Sequence, residues 1–207
     1  MEFRVKTPTQ NIILEALSGF ISKKNIKTDR VYFLELCKKC RNYNKKYACP
    51  PKSADFGSIC NKEGLFIICF KCGLSQIRTT EFNKIRIANS VMKSRIDKLM
   101  RRLEERFCTK FLSSGSCRLC KICNLQKNLP CKYPQKMRFS LEATGIDVDF
   151  ITRKLFNLPL LWYDSKNHKA PEYTCVVAGL LCDEKSASEI TSESATAISE
   201  IVNTKTI

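Results

Sequence analysis

An α+β domain is the fold class this sequence predicts: a small antiparallel or mixed sheet of about four strands, helices on one face, and cysteine-bearing loops between the elements. Three observations predict it. Short apolar runs at 65–70 and 173–181 have strand length and strand composition. A 28-residue stretch at 80–107 repeats its apolar residues at steps of three and four, the spacing of an amphipathic helix. Between such runs lie polar, proline-containing segments dense in cysteine, which suit loops hung on a scaffold. Apolar residues make up 43% of the 207-residue chain, with twelve Phe and six Tyr, enough for one domain with a core.

Taken in order, Thr9 is placed to cap a first helix carrying Ile12, Ile13, Ala16, Leu17 and Phe20, with Gly19 near its end. Val31 to Leu36, rich in β-branched and aromatic residues, reads as a strand running into Cys37. Pro50, Pro51 and Gly57 break regular structure from Cys37 to about Cys60. Leu65 to Phe70 is the next strand. The helix over 80–107 carries Ile85, Ala88, Met92, Ile96, Leu99, Leu103 and Phe107 on one face and Lys, Arg and Glu on the other, a pattern common on solvated surface helices. Ser140 is placed to cap a short helix reaching Leu155, weakened at Gly145. Two closing strands, Leu158 to Tyr163 and Tyr173 to Leu181, flank the turn-rich DSKNHKAP. These elements make one domain over 1–183, and the aromatic-free, Ser/Thr-rich segment 184–207 is expected to be a disordered or loosely helical tail that the fold does not need.

No apolar run approaches the roughly 20 residues of a membrane helix, and the N-terminal stretch lacks the charge, core and cleavage pattern of a secretory leader, so a soluble, cytoplasmic protein is expected. In a reducing compartment, thirteen cysteines point to metal binding or catalysis before a disulfide framework, and an odd number cannot all pair. Charge is divided unevenly. Residues 1–138 contain 30 Lys and Arg against 10 Asp and Glu, a balance of 30 − 10 = +20, whereas residues 139–207 give 6 − 10 = −4. The basic part is the cysteine-rich part, and such a field attracts an acidic redox partner protein, nucleic acid or an anionic substrate.

The densest motif is CRLCKICNLQKNLPCKYP at 117–134. Cys117, Cys120 and Cys123 have the C-x-x-C-x-x-C spacing of a bacterial ferredoxin run, and Cys131 follows after seven residues. Those seven residues span up to about 23 Å, so Cys131 reaches back to the same centre. Zinc competes for four thiolates, but zinc sites usually pair two C-x-x-C knuckles across a longer spacer, and three cysteines in one knuckle crowd a single tetrahedron. The spacing therefore favours a [4Fe-4S] cluster, with zinc as the alternative. Arg118, Lys121, Lys127, Lys132, Lys136 and Arg138 would offset the negative charge of either centre.

Cys37, Cys40 and Cys49 form a second candidate set, with Cys60 in range as a fourth ligand or a structural zinc as the competing reading. A cluster held by three cysteines keeps one open iron, so a second centre here would be the place for chemistry. Cys69 closes the third C-x-x-C with Cys72 and reads as a core residue. Glu142 and Asp147 are candidate proton donors or acceptors beside the ligands, although capping and solvation also account for them. His168 is the only histidine, and no phosphate loop or nucleophile elbow is present.

Taken together, C-x-x-C-x8-C-P-P at 37–51, Gly115 to Cys123, Cys131-Lys-Tyr-Pro134 and Arg138 to Val148 resemble a family of cysteine-rich, predicted metal-binding proteins of unknown function, common in methanogenic archaea and anaerobic bacteria. The likeness spans about residues 10–182. Ser140, Glu142, Gly145 and Asp147 match the family's motif after the last cysteine, while Phe139 and Leu141 stand where Pro and Met are usual. Cys60, Cys69 and Cys72 fall outside the pattern. The resemblance implies metal binding and an anaerobic host, without a reaction. Two functions are thus expected from the sequence: an iron-sulfur protein of anaerobic electron transfer or redox chemistry, or a zinc-stabilised module contacting nucleic acid or an acidic protein.

Overall fold

The computed structural model describes residues 1–203. Its centre is a five-stranded, wholly antiparallel sheet in the order β1-β2-β3-β5-β4, built from β1 (Glu2–Lys6), β2 (Asn11–Ser22), β3 (Gly64–Gly73), β4 (Phe111–Leu112) and β5 (Tyr173–Cys182). The helices are α1 (Arg30–Lys38), α2 (Phe56–Ile59), α3 (Glu81–Arg106), α4 (Val148–Phe156) and α5 (Ala187–Asn203). The α+β class holds, with one strand more than expected.

Both faces of the sheet are covered, and this explains the first departure from the expected elements. Even-numbered residues of β2, such as Ile12, Leu14 and Phe20, face the core under α3, whereas Leu17 and Ile21 face the opposite core. A strand with apolar residues on both faces mimics helical spacing, so 12–20 reads as a helix until its ladders to β1 and β3 are seen. The same division runs through β3, with Phe66, Ile68 and Phe70 on one side and Leu65, Ile67 and Cys69 on the other.

The long helix forms as expected, burying Ala88, Met92, Ile96, Leu99, Met100 and Leu103. Helices α3 and α5 lie on one face, while α4 and the loops cover the other through Ile146, Val148, Ile151 and Leu158. Residues 31–36 are helical instead of extended. Asp29 explains this, because its Oδ1 accepts from the Tyr32 N–H at 2.9 Å and caps α1. The helix over 140–155 is interrupted where glycine weakens it. A 3₁₀ turn at Glu142–Thr144 ends at Gly145 (φ +91°), and α4 restarts under an Asp147 cap to the Phe150 N–H at 3.0 Å.

Residues 158–163 are not a strand. Pro159 lacks a donor, the Leu160 N–H goes to Asp149 Oδ1 (2.7 Å), and the Pro159 carbonyl accepts from the Tyr173 hydroxyl (2.7 Å), which leaves no ladder to join. The Ser/Thr-rich segment expected as a disordered or loosely helical tail is helical over Ala187–Asn203. It buries Ile190, Ala197 and Ile198 in the α3 core and pairs its acids with α3, Glu193 with Arg102 at 2.9 Å and Glu189 with Arg106 at 3.4 Å. Its Ser and Thr hydroxyls donate back to carbonyls one turn earlier, which satisfies them within the helix. Residues 204–207 lie outside the described residues.

Candidate metal centre

The loop that carries the four clustered cysteines is closed at its base. The Ser113 N–H donates to the Phe139 carbonyl (2.7 Å) and the Leu141 N–H to the Ser113 carbonyl (3.2 Å), so residues 114–138 leave from β4 and return beside it. Arg138 fixes the returning end. Its Nε pairs with Glu104 of α3 at 2.5 Å, both side chains being mostly buried, and its Nη1 donates to the Gln135 and Met137 carbonyls at 2.7 Å each. Arg138 thus meets a carboxylate and carbonyls, and its charge is already paired. At the other end Arg118 pairs with Asp97 of α3 at 2.9 Å.

Within this loop Cys117, Cys120, Cys123 and Cys131 line a single cavity of about 20 Å³, closed also by Lys46, Tyr47, Ala48 and Met137. All four thiols are half-buried. A 3₁₀ turn at Asn124–Lys127 and Asn128 in the left-handed region turn the chain between Cys123 and Cys131, and Asn124 Nδ2 donates to the Pro130 carbonyl at 2.9 Å to fix that turn. Burial raises the pKa of the Cys117 thiol, and a hydrogen bond from the Leu119 backbone N–H together with the Lys46 charge works against it. That N–H is the kind of donor to sulfur that tunes a thiolate centre.

The second cysteine group adjoins the first. Helix α1 delivers Cys37 in its last turn, the Cys40 N–H donates to the Cys37 carbonyl (2.9 Å), and the chain turns through Asn44 and Pro50 to bring Cys49 inward. Cys40 is exposed, Cys37 half-buried and Cys49 buried. Burial pushes the Cys49 thiol up to about 11, with Cys40, Cys37 and Cys117 adding in the same direction and Lys46 opposing. Cys49 therefore lies within electrostatic reach of both groups. Lys46 ties them physically, its Nζ donating to the Cys117 carbonyl at 2.7 Å, and Tyr47 Oη donates to the Leu129 carbonyl at 2.9 Å.

Arg30 anchors this second group to the segment after Cys131. Its Nη2 donates to the Ser53 carbonyl at 2.8 Å, its Nη1 to the Ala143 carbonyl, and its Nε pairs with Asp55 at 2.7 Å. Ser53 Oγ also donates to the Ala143 carbonyl, at 2.7 Å. A Cβ at Gly145 would lie 3.0 Å from the Arg30 Cα, so the glycine serves close approach as well as its turn. Burial raises the Cys37 thiol, Cys40 and then Glu142 add to that, and Arg30 opposes. Glu142 is half-buried and lies within electrostatic reach of Cys37. Asp147 caps α4 and pairs with Lys27 at 3.3 Å.

The remaining cysteines stand apart. Cys69, Cys72 and Cys182 are buried in the sheet and Cys108 is exposed. Cys60 is buried, and its thiol donates to the Lys62 carbonyl at 3.4 Å. Sequence reasoning missed Lys46 and Arg30, because a lysine in a basic loop and an arginine opening a helix carry no spacing signal; only the folded chain shows what they join.

The family described as predicted metal-binding protein (DUF2284) matches residues 19–181. The chain belongs to this family. The match takes in every cysteine of both groups, and also Glu142, Gly145 and Asp147, so the two cysteine-bearing loops belong to the family's domain. No curated protein and no solved structure matches the DUF2284 chain. As a donor set, four thiols around one cavity with an N–H to sulfur and a lysine at the rim fit a thiolate metal centre. Among the described residues, no three Cys, His, Asp or Glu side chains draw together as a ready-made site for a single ion. No described helix is long and apolar enough to cross a membrane.

Proposed function

We propose that this DUF2284 protein holds a [4Fe-4S] cluster on Cys117, Cys120, Cys123 and Cys131 and acts in electron transfer or redox chemistry in a reducing, anaerobic setting. The observation that carries the proposal is that all four cysteines of the ferredoxin-like run line one cavity. A zinc ion draws four sulfurs to about 2.3 Å from one point, whereas a cube takes its thiolates on separate irons, so they surround a volume. The cavity itself is water-sized, so the preference for the cube rests on the C-x-x-C-x-x-C spacing, in which three cysteines of one knuckle crowd a single tetrahedron. Bound there, a cluster would supply one-electron transfer. The chain's own part is to hold the thiols on a loop pinned at both ends to α3, to offset negative charge with Lys46, and to donate an N–H to Cys117.

Cys37, Cys40 and Cys49 are the ligands of a proposed second centre beside the first. Three cysteines leave a fourth position open, and Glu142 is the nearby carboxylate suited to exchange a proton there. Around the first cavity the exposed Lys121, Lys127, Lys132 and Lys136 interleave with exposed Ile122, Leu129 and Tyr133, which suits docking of an acidic redox partner. The competing nucleic-acid reading has less to stand on, because Arg102 and Arg106 of α3 are engaged by acids of α5.

Anaerobic purification tests the reading. A brown protein with broad absorbance near 400 nm that bleaches on reduction, with about four iron and four sulfide per centre, is expected. A colourless protein containing zinc would overturn it.

A further inference from the structure

A second cavity, of about 260 Å³, lies between α3, the 158–163 segment and β5, and shares only Glu142 with the metal-centre reading. Its volume is slightly below the range of roughly 300–1,000 Å³ usual for ligand pockets, which suits a small molecule and not a nucleotide. Lys93 and Glu142 both line it. Both are half-buried, and neither side chain makes a hydrogen bond or ion pair among the described residues. Opposite charges that face one space without meeting are a pair of handles for something placed between them.

A third polar group points the same way. Ser114 is 8% exposed, lines the cavity, and its Oγ has no partner among the described residues. A buried hydroxyl without a partner is costly, and a bound ligand that supplies one relieves the cost. On the opposite side Thr174 Oγ1 donates to Asn89 Oδ1 at 3.3 Å, and this pair adds a polar shelf. The rest of the wall is apolar and aromatic: Leu160, Leu161, Val148 and Trp162, the last 80% exposed at the mouth.

We infer that this cavity binds a small zwitterion of the α-amino-acid class, its carboxylate on Lys93 and Ser114, its ammonium on Glu142, and its apolar side chain along Leu161 and Trp162. An anion alone would leave Glu142 unmatched, and a cation alone would leave Lys93 so. Burial lowers the Lys93 pKa while Glu142 raises it, consistent with an ammonium set in a partly dry cavity opposite a carboxylate. The assignment shares Glu142 with the proposed second centre, but it needs that side chain only as a charge and needs no cysteine.

Trp162 is the only tryptophan in the chain, so its emission reports on this cavity directly. Protein as purified, with its metal content measured, is titrated with L-leucine, L-phenylalanine and L-alanine, and with the two halves of leucine, 4-methylpentanoate and 3-methylbutylamine. A saturable emission change with leucine or phenylalanine is expected, with both half-ligands at least tenfold weaker. Lys93→Gln should abolish the advantage of leucine over the amine, and Glu142→Gln its advantage over the carboxylate. Absence of a saturable response to all three amino acids overturns the inference. So does equal binding of either half by the unaltered protein, a comparison that needs no variant to fold.

Discussion

At the scale of single residues, the account rests on which thiols share a space. Cys120 lines the cavity and belongs to the ferredoxin-like run, whereas Cys108 is exposed at the end of α3, away from both groups. Cys120→Ala should therefore remove most of the metal from the first centre, and Cys108→Ala should leave metal content unchanged, both read by metal analysis after anaerobic purification. A loss that is equal in the two variants would contradict the assignment. Protonation separates the thiols further. The Cys49 thiol is raised to about 11, chiefly by burial, so below that pH it is a neutral thiol and its reactive thiolate fraction grows about tenfold per pH unit until pH 11 is reached. In metal-free protein at pH 8, iodoacetamide should label exposed Cys40 well before Cys49, and raising the pH to 10 should speed Cys49 labelling markedly, as peptide mapping by mass spectrometry would show.

Elements decide where these residues stand. Gly145 joins the 3₁₀ turn to α4 at positive φ and lets the chain approach Arg30, so Gly145→Ala should cost about 1–3 kcal/mol and loosen the second cysteine group, measured as a lowered denaturation midpoint. Removing residues 184–207 takes away Ile190, Ala197 and Ile198 from the core and the Glu193 and Glu189 pairs from α3. A stability loss of roughly 2–5 kcal/mol is expected by urea denaturation, against the sequence-based expectation of none. The elements legible in the sequence were α3, whose stripe faces a single core, and β3 and β5, whose short unbroken apolar runs have the length and the β-branched and aromatic content of buried strands. Illegible were β2, where covering of both faces blurs a two-residue period into a helical one, and α1, where one Asp29 cap outweighs a β-branched composition. The packing of the 187–203 helix on α3 was not legible because an aromatic-free segment offers only a few widely spaced anchors, Ile190, Ala197 and Ile198. Of the site, the cysteine grouping was legible from spacing alone, whereas its ties through Lys46, Arg30 and Glu104 span 34 to 113 residues of sequence and leave no local signature.

For the whole molecule, the sheet separates two layers with different work. Helices α3 and α5 build a core and neutralise each other's charge on one side, while the other side carries the second cysteine group, α4 and the loops that link it to the first. The basic excess of residues 1–138 is therefore only partly cancelled within the fold, and what remains includes exposed lysines around the first cavity. The proposed association with an acidic redox protein should weaken several-fold between 50 and 300 mM salt, as calorimetry or surface binding would record, because exposed charges are screened over that range. The central claim is the identity of the centre on Cys117, Cys120, Cys123 and Cys131. Electron paramagnetic resonance of anaerobically purified, dithionite-reduced protein, paired with iron and sulfide analysis, tests it most directly. A reduced-cluster signal with about four iron and four sulfide per centre, lost in Cys120→Ala, is the predicted result; a silent protein with stoichiometric zinc would contradict it.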